Sequence, residues 1–168
     1  MRSWFLLALC LLAVTSASAA PRTYWDRAAN IRESAEHLVS LQRKGGALGA
    51  YKFISACYKT HMLAERYSKP LEACIAQDYM LTQTLVTIYG RLAPEARKEI
   101  HAGEPAALAR ALSVRVSGVL TQYKLSEEDG LEIKRLVDKE GMPLFLAKSF
   151  PKAGQGVPAA DKPPASPH

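Results

Sequence analysis

Apolar residues return every three or four positions along most of this chain, and nowhere do they alternate over four or more residues as a half-buried strand requires. The first such pattern is Tyr24, Ala28, Ile31, Ala35, Leu38 and Leu41. It opens on Thr23-Tyr24-Trp25-Asp26 as a loose capping box and stops at Arg43-Lys44-Gly45-Gly46. A second runs from about Ala50 to Ala64. It has Ala50, Phe53, Ile54, Cys57, His61 and Ala64 on one stripe and Tyr51, Tyr58 and Met62 on the next. So wide an apolar face predicts two neighbours and a central position. The strongest pattern follows the turn Ser68-Lys69-Pro70: Leu71, Cys74, Asp78, Leu81, Leu85, Ile88 and Leu92, widened by Ile75, Tyr79, Val86 and Tyr89.

Beyond it the segments shorten. Pro94-Glu95 opens a piece reaching His101, because proline suits a first helical turn where its missing N–H is not needed. Leu108, Ala109, Leu112, Val116, Val119, Leu120 and Tyr123 then form one apolar face, and Ser126-Glu127-Glu128-Asp129 caps another helix with Ile133, Leu136 and Val137 inward. Gly141 is expected to end that helix, with a short last turn from Met142 to Phe145 closed by Phe150-Pro151. The whole predicts a single all-α domain, residues 20–150, of five to seven helices built around a disulfide-linked helical hairpin. About 130 residues suffice to bury ~65–70% of the unfolded surface.

The two ends are expected to lie outside that domain. Met1-Arg2-Ser3, the apolar run Trp4 to Val14 and the small residues Ala17-Ser18-Ala19 have the layout of a secretory signal peptide, residues 1–19, cleaved after Ala19. The run is too short to span a bilayer of ~30 Å. Cys10, flanked by Leu9 and Leu11, is misplaced for a lipoprotein acceptor. Residues 151–168 hold prolines and glycines with one larger apolar residue, Val157, and are expected to be a disordered Pro-rich tail. The expected address is the bacterial periplasm, with full secretion as the alternative, and with no stable membrane insertion once the signal is removed.

Cleavage would leave Cys57 and Cys74 and a formal charge of +5, one positive charge fewer than the +6 of the full chain. That charge is dispersed, without the basic stripe and exposed aromatics that nucleic acid would want, so no nucleic-acid partner is expected. Two cysteines in an oxidising compartment are expected to be bonded to each other. If the hairpin turned between Tyr67 and Ser68, however, His61 would face Cys74 and Cys57 would face Asp78. The cysteines would then be staggered by ~6 Å, and Cys57, His61, Cys74 and Asp78 would be conceivable zinc ligands. The disulfide is the expectation, with no metal and no cofactor.

Asp78 interrupts an apolar stripe, and a buried carboxylate needs a partner or an opening to water. Gln77, Asp78 and His61 are therefore candidates for a polar notch that receives a ligand. Met62 and Met80 with His37 or His61 could be offered as haem ligands, but methionine at helical spacing is core filling. Catalytic motifs, including nucleophile elbows, phosphate loops and H-E-x-x-H, are absent from the sequence. A small envelope hydrolase would use Asp78 or paired acids such as Glu127 and Glu128, and the latter stand in a first helical turn where the helix dipole favours acids anyway. The function expected is non-enzymatic binding of an envelope protein or small ligand through a groove or face carrying tyrosines; the alternatives are a metal-binding helical protein or that hydrolase.

Overall fold

A computed structural model describes residues 24–151, so the cleavage site after Ala19, Thr23 and nearly all of the Pro-rich tail lie outside the described residues. Every element among them is helical: α1 (Arg27–His61), α2 (Lys69–Gly90), α3 (Pro94–Glu99), α4 (Pro105–Gln122), α5 (Glu127–Leu136), a π-helical turn (Val137–Gly141) and α6 (Met142–Ser149). Asp26, rather than Thr23, caps α1, its carboxylate accepting from the Ala29 amide at 3.0 Å. The helix breaks at Gly46, whose φ of 63° favours a residue with no Cβ. The two helices that the pattern predicts are thus the two halves of α1, meeting at the kink at Gly46, and the second folds back on α2 through the turn after His61.

The central helix is α2. Leu71, Glu72, Cys74, Ile75, Ala76, Gln77, Asp78, Met80, Leu81, Thr82 and Thr84 are all buried, on every side of the rod, and α1, α4, α5 and the π-turn pack around it. The stretch from Ala50 to His61 does not take that place. It buries Ala50, Ile54 and Tyr58, while Tyr51 and Phe53 are exposed, Phe53 standing edge-on to His37 with ring centroids 4.8 Å apart. Of its second apolar stripe only Tyr51 lies on the surface, Tyr58 being buried and Met62 half-buried against the core.

Two joints shape the rest. At the far end of α2, Arg97 of α3 donates to the Leu92 and Tyr89 carbonyls at 2.7 and 3.4 Å, closing a helix end whose carbonyls lack intrahelical partners. Gly141 does not stop α5. The chain runs on through the π-turn, where the Met142 amide reaches back to the Val137 carbonyl. Pro143 supplies the reason: in a regular helix its ring would clash with the carbonyl four residues back, and a wider turn relieves that clash. Gly141 is buried where a Cβ would stand 2.9 Å from Met80 Sδ and 3.0 Å from Ile31 Cγ2, so it allows the π-turn to lie against α1 and α2.

Candidate functional site

Asp78 sits midway along α2 with 1% of its surface exposed. Arg115 of α4 donates to both its oxygens, Nε to Oδ2 at 2.7 Å and Nη2 to Oδ1 at 2.8 Å. Tyr58 donates its hydroxyl at 3.2 Å and Thr82 at 3.0 Å. Burial first, and the Asp78 charge second, push the Tyr58 phenol well above its ordinary range, so it stays a donor. The carboxylate is met by a fork of guanidinium and two hydroxyls, a set that satisfies a buried anion.

The residues expected to share one notch are held in three different settings. Gln77 points toward the first half of α1, its amide nitrogen on the Ser34 carbonyl at 3.4 Å and on His37 Nδ1 at 3.0 Å. Asp78 is closed by Arg115, and His61 lies beside Cys57 and Cys74 at the turn between α1 and α2. The cysteines are level across the hairpin, bonded, with Cα atoms 5.9 Å apart. The staggered register is therefore not adopted, and Asp78 is not available as a fourth ligand. Met80 is fully buried against Gly141 and Ile31, Met62 sits at the end of α1, and His37 faces Gln77 and Phe53.

A second buried charge system has no counterpart in the sequence reading. Glu72, fully buried in the first turn of α2, accepts from Trp25 Nε1 at 2.7 Å, Arg27 Nε at 3.0 Å, Asn30 Nδ2 at 3.1 Å and the Tyr67 hydroxyl at 3.2 Å. Arg27 also donates to Asp129 at 3.1 Å and pairs with Glu132. Asp129 is at the same time the acid of the α5 capping box, taking both the Ser126 hydroxyl and amide. Burial would raise the Asp129 carboxyl, but these Ser126 bonds and Arg27 outweigh it and hold the group below its ordinary value. Tyr67 is raised by burial and by Glu72. This cluster clamps α1, α2 and α5 together.

Between the walls that these two ion-pair systems fix, α2, α4 and α5 leave a groove of about 490 Å³. Tyr79, Thr82 and Val86 line it from α2, Leu112, Val116 and Leu120 from α4, and Gly130, Leu131 and Lys134 from α5. A Cβ on Gly130 would come within 2.8 Å of Leu120 Cδ1, so a side chain there would displace the end of Leu120 from the α4–α5 contact. Polar groups are sparse and sit toward the edges: Gln83, Ser113, Ser117 and Glu127, with Lys134 engaged by Asp138 at 2.6 Å. Thr82 belongs to both structures, donating to Asp78 while lining the groove.

Of the tyrosines read as contact surface, Tyr79 alone lines this groove. Tyr58 and Tyr67 serve the two buried carboxylates, Tyr51 is exposed on α1, and Tyr89 is half-buried at the end of α2. Glu128 is exposed and Glu127 stands at the groove's rim. No helix among the described residues is long and apolar enough to cross a membrane. No protein-family model, curated protein or solved structure matches the chain.

Proposed function

We propose that this is an exported, non-enzymatic binding protein of the cell envelope that takes an apolar or amphipathic ligand in the groove between α2, α4 and α5. The observation that carries the proposal is the groove itself. Its volume, about 490 Å³, lies in the range of small-molecule sites, and it joins apolar walls to a few polar edge groups, the composition that binds by burial and orients by hydrogen bonds. Support for export comes from the layout of residues 1–19. Of the acids that a hydrolytic reading would enlist, Asp78 is saturated by donors away from solvent, which suits wall-building rather than proton transfer, and Glu127 and Glu128 are exposed in the first turn of α5, where the helix dipole favours acids without any catalytic role.

Purification of the mature chain from envelope extract, followed by mass spectrometry of what stays bound, tests the proposal directly. A neutral solvatochromic dye supplies the control. Ser113→Trp and Ser117→Trp place bulk in the groove from exposed positions of α4 and should abolish dye binding and ligand carry-over while leaving the helical content unchanged. Dye and ligand binding that both substitutions leave intact, in folded protein, would overturn the assignment.

A further inference from the structure

Away from the groove, at the turn joining the two long helices, three side chains with metal-binding atoms converge. Cys57 and His61 stand one turn apart on α1, Cys74 faces them from α2, and their two sulfurs and an imidazole nitrogen all lie within 4.8 Å of one another. Cys74 is fully buried, whereas Cys57 and His61 are half-buried, so the cluster has an enclosed floor and one edge open to solvent. In the disulfide form the sulfurs satisfy each other and offer a cation no charge.

We propose that reduction of the Cys57–Cys74 bond turns this cluster into a zinc site made of two thiolates and the His61 imidazole. The hairpin is then pinned covalently when oxidised and by metal when reduced. The redox step takes two electrons and two protons from an external dithiol, which leaves as its own disulfide while Cys57 and Cys74 become thiols. Zn²⁺ then displaces both thiol protons to water, and neutral imidazole gives a ring-nitrogen lone pair. The product has no net charge, which makes an anionic sulfur tolerable at the buried Cys74 position. Thiolate and imidazole together select zinc over calcium or magnesium. Zinc–sulfur bonds of about 2.3 Å in a tetrahedral frame ask the sulfurs to part to roughly 3.8 Å. With the cysteine Cα atoms 5.9 Å apart, side-chain rotation supplies that opening without moving either helix. The fourth position falls to water at the open edge, because Asp78 is held by Arg115. None of this depends on what the groove binds.

The test uses the mature chain, reduced with a phosphine under argon, its thiols counted, and titrated with Co²⁺ and then Zn²⁺. The expected result is one equivalent of cobalt per chain with a thiolate charge-transfer band, displaced by zinc, a rise in melting temperature on adding zinc, and no binding by the disulfide form. His61→Ala should weaken zinc binding by at least about tenfold, while its oxidised form melts close to the unsubstituted protein. Circular dichroism keeps the outcome readable if reduction unfolds the chain: one equivalent of zinc should refold it. Reduced chain that stays folded without binding zinc overturns the proposal, as does unfolded chain that zinc does not rescue. Equal binding by His61→Ala or by the disulfide form overturns it too.

Discussion

Removing the Arg115 guanidinium would leave the buried Asp78 carboxylate with two hydroxyl donors and no countercharge. Arg115→Met should therefore destabilise the fold by about 3–5 kcal/mol, the range for breaking a buried pair from one side. The double variant Asp78→Asn with Arg115→Met should fall short of the summed single losses by about 1 kcal/mol or more, since contacting residues couple. Urea titrations of the three variants measure this, and strict additivity would show that the pair is not coupled. Asp129 gives a pH test. Its folded-state pKa is depressed, so it contributes stability above its unfolded value near 4, and that contribution is lost as pH falls through the folded value. Asp129→Asn should be less stable at neutral pH and lose less on acidification below about pH 4, as followed by thermal melts across that interval. The sequence marks Asp78 as needing a partner because an acid on an apolar stripe is visible in the pattern. Arg115 is not, since which cation reaches it depends on how α4 lies, 37 residues away. Glu72 and Arg27 escape for another reason: each stands in a first helical turn, where a charge reads as a surface residue.

At the scale of elements, adjacent glycines in α1 should respond oppositely. Gly46→Ala forces a Cβ into φ 63° and should cost about 1–2 kcal/mol. Gly45→Ala meets open space at an ordinary helical φ and should gain up to about 1 kcal/mol. Gly141→Ala would press on Met80 and Ile31, both fully buried, and should cost about 1–3 kcal/mol. Denaturant midpoints rank all three. Periodicity and caps locate most helix positions: the Ser126–Asp129 box forms as its spacing predicts, and Ser68 caps α2 just before Pro70. The Gly-Gly pair is legible as a break, and Gly46 is where the two helical halves of α1 meet. Gly141, by contrast, is misread as a stop. Its absent side chain answers to Met80 and Ile31 in other elements, which the local sequence cannot show.

For the molecule as a whole, the disulfide closes a short loop, and its effect should appear in global stability. Reducing it without metal should lower stability by about 2–4 kcal/mol, measured by denaturant unfolding with and without phosphine. Truncation after Pro151 should shift the melting temperature by no more than about a degree or two, the size of surface effects. The class of fold and the cysteine pairing are legible from the chain because both follow from local spacing and from one hairpin. The groove is not, since it is the space left between three helices whose separation is set by ion pairs distant in sequence.

The connection through α3 has one more implication. Among its residues none is buried, and the exposed Arg91 and Lys98 lie beside and in it, where trypsin can cut. The segments on either side remain bound to each other through Asp78 and Arg115, through Arg27 and Asp129, and through α6 lying along α1. A nick there would leave a two-piece protein that still elutes as one. By the same logic, residues 24–90 and 105–151, produced as separate polypeptides, should find each other and reassemble.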